Sequence, residues 1–371
     1  MLEQVSEPFV DIPTEEEFQA KTIHDFPFNE GSFGGIGRKC PHMALINVTP
    51  DGNCIHSCRY CYSRDHRSNK IFEKVGKIIV YRDLPERLDL ELSRLALAPP
   101  FYLCPVTDPF MPVKKVVDLT LSVSEVLIKH GVSFHYVTKS KLVERSLNLV
   151  SGYPYFFLQM TVETIDPHKQ GVLSPRASSV EERIDTLQKF SSEGIFTGMR
   201  IDSVIWGFTN EWDSLHELVK IARDVGVKHI VCSTCRLGPN TKRSVPEALE
   251  KAGYEKEAEI VRRSYTEFKG GFWFLPVEER IRFHLRMRKL VESFGLTYSV
   301  CGELGKEYDS NGITHCEAAP NSFMMKKVNG KFQPVCQGDC LRSCPNSSNP
   351  TCGQPLLLGE YPYKMKTLKI S

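Results

Sequence analysis

The sequence lacks a strong excess of charge of either sign and any long apolar run. Its 371 residues include 47 Lys and Arg against 45 Asp and Glu, which gives a formal net charge of +2. Nucleic-acid-binding domains often carry a clear basic excess, so the total charge gives no indication of such a partner. No apolar stretch reaches the roughly 18 residues that a membrane span requires, and no membrane partner is expected.

Signals for export, internal repeats and low-complexity tracts are also missing. Residues 1–20 are acidic and polar, without the basic and apolar regions of a signal peptide. We therefore expect a cytoplasmic protein in a reducing compartment. The sequence gives no indication of the oligomeric state.

Cysteine, in contrast, is abundant. The chain has thirteen cysteines, and most of them cluster at short spacings. In a large chain without an export signal, such clusters indicate metal ligands and free thiols more than a disulfide framework.

Strand-like runs alternate with helical patterns over much of the chain. Each run is rich in β-branched and aromatic residues and is followed by a polar turn. This alternation predicts an α/β fold with a parallel sheet and helices outside it. Periodicity does not decide between a doubly wound sheet and a full or partial barrel. The runs are Met43–Val48, Phe101–Cys104, Ser133–Val137, Tyr155–Met160, Ile195–Ile201 and His229–Cys232.

The pattern divides the chain into four predicted regions. Residues 1–40 form an N-terminal extension, and residues 41–236 form the βα core, with predicted helices at Leu84–Leu97, Thr120–His130, Ser179–Glu193 and Trp212–Val225. Residues 237–300 contain two charged helices, Arg243–Lys269 and Val277–Phe294, and a final strand, Leu296–Val300. Residues 301–371 are cysteine-rich with little periodicity.

Three cysteines share one loop after the first predicted strand of the core. Cys54, Cys58 and Cys61 have the spacing Cys-x-x-x-Cys-x-x-Cys, with Tyr60 just before the last cysteine. Three thiolates in one loop can ligate three irons of a 4Fe–4S cluster and leave the fourth iron open. The alternative is a zinc site, for which His56 or a distant cysteine would have to supply the fourth ligand.

The loop resembles the signature of the radical S-adenosylmethionine (SAM) superfamily. Its extended form, Cys-x-x-x-Cys-x-Tyr-Cys-Tyr, is similar to that of spore photoproduct lyase and lyase-like proteins. Three further segments carry this resemblance: Leu103–Phe110 (LCPVTDPF), Tyr136–Ser140 (YVTKS) and Ser174–Ile184 (SPRASSVEERI). The resemblance covers about residues 43–235 and implies a partial (β/α)6 TIM-like barrel of radical SAM type with a C-terminal cysteine-rich extension.

The resemblance also implies a SAM site at the carboxyl ends of the strands, where ligands of parallel α/β folds bind. Thr107 and Asp108 would hold the methionine amino group, Lys139 and Arg200 would meet its carboxylate, and Tyr60 would lie near the adenine. Thr161 and Glu163 would reach the ribose. For each residue the alternative is an ordinary polar residue at a strand end.

A hydrogen-atom relay is implied as well. In spore photoproduct lyase a cysteine and tyrosines beside the cluster loop transfer hydrogen, and Tyr60 and Tyr62 match the tyrosine positions. Cys104 is close to the cysteine position but one residue further from the aspartate, so a buried, inert thiol is its alternative. Cys232 and Cys235 lie at the end of the sixth predicted strand. Three interpretations of this pair are open: hydrogen donors, metal ligands or ordinary thiols.

The C-terminal cysteines predict a second metal site. Closely spaced thiolates repel one another unless a cation neutralises them, so we expect an auxiliary iron–sulfur cluster, with zinc or partly unliganded thiols as alternatives. The six cysteines are Cys301, Cys316, Cys336, Cys340, Cys344 and Cys352.

Three functions remain open at this point. The first is a radical SAM enzyme that acts on a nucleic acid, by lyase-type repair or base modification. The second is a radical SAM enzyme that modifies a peptide or protein side chain with an auxiliary cluster. The third is a non-catalytic iron–sulfur binding protein. Either enzyme would need SAM and a reductant such as flavodoxin or ferredoxin. The substrate, and whether SAM is consumed or regenerated, are not predicted.

Overall fold

A computed structural model describes residues 9–19, 21–25, 44–65, 70–313 and 315–336 of the chain. Short 3-10 helices lie at Tyr62–Asp65, Lys141–Ser146 and Lys306–Tyr308. Within these ranges the strands are β1 Thr14–Glu17, β2 Ile23–Asp25, β3 Ala44–Ile46, β4 Ile78–Tyr81, β5 Leu97–Ala98, β6 Phe101–Leu103, β7 Phe134–Thr138, β8 Phe156–Thr161, β9 Phe196–Ile201, β10 His229–Cys232, β11 Glu267–Lys269, β12 Phe272–Phe274, β13 Thr297–Val300, β14 Met324–Val328 and β15 Lys331–Cys336. The α-helices are α1 Phe72–Val75, α2 Leu84–Ser93, α3 Lys114–His130, α4 Leu147–Val150, α5 Pro167–Leu173, α6 Val180–Ser192, α7 Trp212–Asp224, α8 Thr241–Lys251, α9 Glu255–Ser264 and α10 Val277–Ser293.

One large mixed sheet organises the fold, in the order β13-β10-β9-β8-β7-β6-β3-β2. All neighbouring strands from β3 to β13 are parallel, and β2 pairs antiparallel to β3 at the edge. A doubly wound sheet requires a reversal of strand order, and this sheet has none. With right-handed crossovers, sequential order places the connecting helices on one face. The predicted α/β class is confirmed.

The two faces of the sheet differ in chemistry, because successive side chains of a strand point to opposite sides. Residues such as Phe134, Tyr136 and Leu158 belong to the large apolar core. The alternate residues, which include His135 and Gln159, form an inner face that is rich in polar side chains although it is buried. The polar inner face leads to the site described below.

Local signals explain most helix ends. Ser179 accepts a hydrogen bond from the Glu182 amide, and the Glu182 carboxylate accepts one from the Ser179 amide, which is the capping box that the sequence predicts at the start of α6. Gly131 ends α3 in the left-handed conformation. No helix in the described part of the chain is both long and apolar enough to cross a membrane.

The single helix predicted over Arg243–Lys269 is wrong. Gly253, with a φ of 83°, separates α8 from α9, and the remainder forms the hairpin β11–β12. Gly270 and Gly271, both with positive φ, supply the turn between these strands. A Gly-Gly pair in an aromatic segment is typical of a hairpin turn. The segment was assigned to a helix because its charged residues are spaced as on a helix.

The regions outside the βα core also contain strands that sequence patterning missed. In the C-terminal region, β14 and β15 form a hairpin across Asn329 and Gly330, both with positive φ, and β14 pairs with β5. Because Leu97 and Ala98 form β5, α2 ends at Ser93 rather than at the predicted Leu97. In the N-terminal region, β1 pairs with β4.

Candidate active site

The loop after β3 carries the cysteine triplet and is anchored by a buried asparagine. The Asn53 side-chain amide donates to the carbonyls of Lys70 (2.9 Å) and Lys77 (3.0 Å). Its oxygen accepts a hydrogen bond from the Ile79 amide at 2.7 Å. All the hydrogen-bonding groups of this side chain are therefore used to tie the loop to β4.

The three thiols of the loop lie near one another in a buried setting. Burial raises the pKa of Cys54, and Asp108, Cys58 and Cys61 raise it further. Burial also raises the pKa of Cys58 to about 12, although the Lys139 ammonium opposes this. The thiolates therefore need a cation to hold them in their charged form.

The structure describes all three thiols of the triplet, which are the predicted ligands of a 4Fe–4S cluster. Within the described ranges, no three His, Cys, Asp or Glu side chains are grouped as ligands of one metal ion would be. In a 4Fe–4S cube each cysteine binds a different iron, so its ligands stand further apart than those of zinc. Cys54, Cys58 and Cys61 lie close enough to influence one another electrostatically, and their role as cluster ligands stays a prediction.

His56 holds the loop and is not positioned as the fourth ligand of a zinc site. Its Nδ1 donates to the Arg176 carbonyl at 2.9 Å, and its Nε2 lies 3.1 Å from Asp108 Oδ2. Nδ1 is thus hydrogen-bonded to the chain, whereas Nε2 faces the Asp108 carboxylate without forming a hydrogen bond among the described residues. Sequence reasoning considered His56 only as a metal ligand and missed this positioning role.

Asp108 joins the ends of β6 and β7 to the cysteine loop. Its carboxylate accepts hydrogen bonds from the Phe110 amide (2.8 Å), the Thr138 hydroxyl (2.7 Å) and the Lys139 amide (2.8 Å). Burial raises the pKa of Asp108, but His56 and these hydrogen bonds outweigh burial and hold the pKa below its usual value. The predicted contact of Asp108 with the methionine ammonium stays a prediction.

Glu163 is the centre of a second buried network. It accepts hydrogen bonds from Tyr60 Oη (3.0 Å), Arg183 Nη1 (2.7 Å) and the Ser174 hydroxyl, and Lys139 Nζ lies 4.0 Å away. Burial raises the pKa of Glu163, but Lys139 and Arg183 outweigh burial and hold the pKa well below its ordinary value. The structure thus brings together Tyr60, Lys139 and Glu163, three of the predicted SAM residues.

Arg183 is a site residue that sequence reasoning missed. Its side chain is fully buried, and Nη1 donates to the Thr161 carbonyl (2.7 Å) as well as to Glu163. The residue lies within the SPRASSVEERI segment that carries the family resemblance, which was the available signal. Thr161 and Glu163 therefore serve this internal network, and their predicted contacts with the ribose stay predictions.

Arg200 lies on the inner face among groups of the chain. Its guanidinium donates to Gln159 Oε1 (2.7 Å), Asp202 Oδ2 (2.7 Å) and Cys301 Sγ (3.2 Å), and it lies 3.4 Å from Glu317 Oε2. Burial lowers the pKa of Arg200, but Cys301, Asp202 and Glu317 raise it well above its usual value. The predicted contact with the methionine carboxylate stays a prediction.

Tyr62 and Cys104, the predicted catalytic residues, differ in their surroundings. Tyr62 Oη donates to the Pro105 carbonyl at 2.6 Å, and the Arg236 guanidinium lies 5.2 Å from its ring centroid. Burial, together with Cys61, raises the pKa of Tyr62. These contacts place Tyr62 beside the cysteine loop.

Cys104 belongs to the apolar core instead. Its thiol is 1% exposed and accepts a hydrogen bond from the Val48 amide at 3.4 Å. Burial raises the pKa of Cys104 to about 12. The neighbouring Thr107 hydroxyl accepts a hydrogen bond from Thr49 (3.1 Å). This geometry supports the inert-thiol alternative for Cys104, and shows no feature specific to methionine binding at Thr107.

The predicted C-terminal metal site is only partly described. Cys340, Cys344 and Cys352 lie outside the described residues. Cys301 contacts Arg200, the buried Cys316 has its Sγ 3.7 Å from Glu317 Oε1, and Cys336 ends β15. Cys232 and Cys235 are buried, and burial raises the pKa of Cys235 to about 12, as for ordinary thiols. A second metal site stays a prediction.

Comparisons with known proteins bear on this geometry. No family model matches the chain. The chain is 23% identical over 343 residues to the radical SAM Nalpha-GlyT isomerase of Pseudomonas phage M6, a match that covers 87% of this chain and 71% of that protein. It is 22% identical over 262 residues to an uncharacterised protein of Acidianus two-tailed virus, which covers 65% of this chain and 86% of that protein.

Solved structures show the same fold. A variant of spore photoproduct lyase superposes with a TM-score of 0.53 and 14% identity, covering 79% of this chain and 82% of that chain. Another, with bound AdoMet and dinucleoside spore photoproduct, gives a TM-score of 0.50 and 16% identity, covering 69% and 75% of the two chains. The α/β fold therefore resembles that of spore photoproduct lyase.

Together, the relatives confirm the predicted resemblance to radical SAM enzymes. The likeness to spore photoproduct lyase is a likeness of fold. The chain is thus similar to radical SAM enzymes, and the comparisons leave its reaction open. The class implies SAM and a 4Fe–4S cluster as cofactors.

Proposed function

We propose that the chain cleaves SAM reductively and directs the resulting radical at a nucleic acid, by lyase-type repair or base modification. The observation that carries this proposal is the convergence of Cys54, Cys58 and Cys61 with the buried networks of Asp108 and Glu163 at the carboxyl ends of the strands. Ligands of parallel α/β folds bind at this edge.

The three cysteines would hold the 4Fe–4S cluster. When bound, the cluster would supply the electron that releases a 5′-deoxyadenosyl radical from SAM. The chain's own contribution is to fix this region before SAM binds: Asn53 ties the loop to β4, and His56 links it to Asp108. Tyr60 and Lys139, held by Glu163, flank the loop and are available to SAM.

The choice of a nucleic acid rests on the relatives. A structure of spore photoproduct lyase with the same fold contains a dinucleoside spore photoproduct, and the phage relative is named a radical SAM isomerase. Proteins of one fold act on many different substrates, so the test below also includes peptides, the substrates of the alternative function. A base within a duplex would have to be flipped out to reach the site.

Three further features belong to this proposal. The sequential sheet would curl into the partial (β/α)6 barrel of radical SAM enzymes, since its helices lie on one face. A reductant such as flavodoxin or ferredoxin would supply the electron. The protein would be cytoplasmic, where such reductants work.

The test is the yield of 5′-deoxyadenosine from anaerobically reconstituted protein with dithionite and SAM. Parallel reactions contain no further addition, ultraviolet-irradiated DNA, RNA, or a mixture of short peptides. The Cys54/Cys58/Cys61→Ala variant should lose the product, whereas Cys232→Ala, a thiol outside the loop, should retain it. We expect DNA or RNA to raise the yield. A yield raised only by peptides would contradict the nucleic-acid proposal, and no yield at all would contradict SAM cleavage.

A further inference from the structure

Strand β1, which lies in the predicted N-terminal extension, contacts the part of the chain that holds the cysteine loop. It pairs in parallel with all four residues of β4. The amides of Ile78 and Arg82 donate hydrogen bonds of 2.9 Å to carbonyls of β1 and of the residue before it. The next amide along β4, that of Ile79, donates instead to Asn53 Oδ1 at 2.7 Å. β4 is therefore bonded on one edge to β1 and on the other to the residue that precedes Cys54.

The residues on either side of α1 form a second link between β1 and the loop. The carbonyls of Lys70 and Lys77 accept the two hydrogen bonds of the Asn53 side-chain amide, at 2.9 and 3.0 Å. The ammonium groups of the same two lysines form ion pairs with Glu17 and Glu15 of β1, respectively. Each lysine thus holds the loop through its backbone and β1 through its side chain.

Helix α1 also reaches the loop directly. Its Glu73 pairs with Arg64 at 2.5 Å, and Arg64 Nε donates to the Cys58 carbonyl at 2.8 Å. A displacement of α1 would therefore act on the loop at Asn53, just before the first cysteine, and at the second cysteine itself. The placement of these two cysteines depends on how firmly α1 is held.

The side chains of β1 divide between two neighbours, because successive residues of a strand point to opposite sides. Glu15 and Glu17 pair with the lysines around α1. Glu16 points the other way and pairs with Lys115 of α3 at 3.0 Å, with both side chains about half exposed. Of these ion pairs, two act on the segment that holds the loop, and the third acts on α3.

The composition of β1 makes its pairing dependent on these lysines. Three successive glutamates are poor strand formers, and their charges repel one another unless cations lie nearby. A single half-exposed ion pair stabilises a structure only slightly. Here, however, two such pairs act on the same short segment, so their contributions combine at the cysteine loop.

We propose that β1 is a positioning element of the cysteine loop: Glu15 and Glu17 hold Lys70 and Lys77, and these keep Asn53 in place. The inference rests on the proposed cluster site but is independent of the substrate. It gives the N-terminal extension a role, since release of β1 would loosen the loop without removing any of its thiols.

The test compares a Glu15→Gln/Glu17→Gln variant with Glu16→Gln, which removes an ion pair from the other side of the same strand. Amide hydrogen exchange over residues 50–62 is measured by mass spectrometry in the metal-free full chain. Iron release to a chelator is measured in the anaerobically reconstituted protein. We expect both rates to rise about threefold to tenfold in the first variant, the effect of losing two half-exposed ion pairs. Glu16→Gln should match the parent protein in both rates.

A charge exchange separates the ion pair from a general loss of stability. Glu17→Lys and Lys70→Glu should each raise both rates. The combined variant, in which the two charges have changed places, should return close to the parent rates. At about 1 M salt the differences should shrink, because the ions screen such charges strongly. Thermal unfolding of each variant shows whether the fold is kept.

Three results would overturn the inference: unchanged rates in Glu15→Gln/Glu17→Gln, equal increases in Glu16→Gln, or no recovery in the charge-exchanged variant. If the parent protein retains iron and only these expectations fail, the proposed cluster site stands without a role for β1. If hydrogen exchange responds as expected but the parent protein retains no iron, the proposed cluster site has failed, and the role of β1 in holding the loop stands.

Discussion

The surroundings of the cysteine loop and the inner face of the sheet around His135 and Gln159 are both buried and polar, but their polar groups are hydrogen-bonded to different extents. Around the loop, Asp108 and Glu163 each accept three hydrogen bonds from the chain itself. On the inner face, both ring nitrogens of His135 and the Nε2 atom of Gln159 make no hydrogen bond among the described residues. Around the loop His56 Nε2 and Arg183 Nη2 also make none, but the two carboxylates beside them are fully engaged. The comparison indicates that the chain itself holds the carboxylates around the loop, whereas it leaves several polar atoms of the inner face unsatisfied.

The largest effect is expected at Glu163, the most heavily used acceptor. Glu163→Gln leaves Arg183 and Lys139 without their buried counter-charge, so we expect a loss of about 3 kcal/mol or more in the free energy of unfolding. Urea denaturation measures it. Glu181→Gln on the exposed side of α6 is the matched control, expected to change little. Equal losses in the free energy of unfolding for Glu163→Gln and Glu181→Gln would contradict the stabilising role of the Glu163 network.

Asn53→Ala should have a smaller but still clear effect. It removes three hydrogen bonds of a fully buried side chain, so we expect a loss of about 2–3 kcal/mol in the free energy of unfolding. Because the loop is then loosely held, iron content after reconstitution should fall as well. Asn148→Ala, at an exposed position of α4, is the comparison variant. Full iron content in Asn53→Ala would contradict the anchoring role.

The pH dependence of stability tests Asp108. Its folded-state pKa is lowered, so the stabilisation it gives is fully present above its unfolded value of about 3.9 and is lost as the pH falls through the folded value. Unfolding free energies measured from pH 7 to the lowest pH at which the protein stays folded should therefore fall less steeply in Asp108→Asn than in the parent protein. If the free energy of unfolding fell equally steeply with pH in both proteins, the lowered pKa of Asp108 would be contradicted.

The smallest effect is expected at Gly198, which pairs with Gln159 across β8 and β9. A Cβ atom there would lie 3.2 Å from Gln159 Cγ, so the neighbouring side chain must shift by a few tenths of an ångström. Gly198→Ala should cost about 1 kcal/mol of stability. It should leave the iron content after reconstitution unchanged, because the nearest atoms that a Cβ atom at Gly198 would meet belong to Gln159 and not to the cysteine loop. A loss of iron in Gly198→Ala would contradict the separation between the cysteine loop and the inner face of the sheet.

The sequence predicted the βα core well because strand runs and helix caps are local signals. Six predicted strands, the α6 capping box and the final strand are all present with shifts of a few residues. The short strands β1, β5 and β14 escaped prediction because they exist through pairing with distant segments. Local propensity gives no signal of such pairs.

Site prediction succeeded for residues with a recognisable motif and failed for those that act through contacts. Tyr60, Lys139 and Glu163 do meet, as the family resemblance implies. Arg183 and His56 were missed because their role depends on which carboxylate lies beside them in space. The polar inner face of the sheet was missed because its residues, such as His135 and Gln159, lie within strands whose sequences are mostly apolar.

The most direct test of the central claim is electron paramagnetic resonance of the anaerobically reconstituted, dithionite-reduced protein with and without SAM. We predict the signal of a reduced 4Fe–4S cluster that changes shape when SAM is added, and that is absent from Cys58→Ala but present in Cys232→Ala. A signal that ignores SAM, or that survives in Cys58→Ala, would contradict a SAM-binding cluster held by Cys54, Cys58 and Cys61.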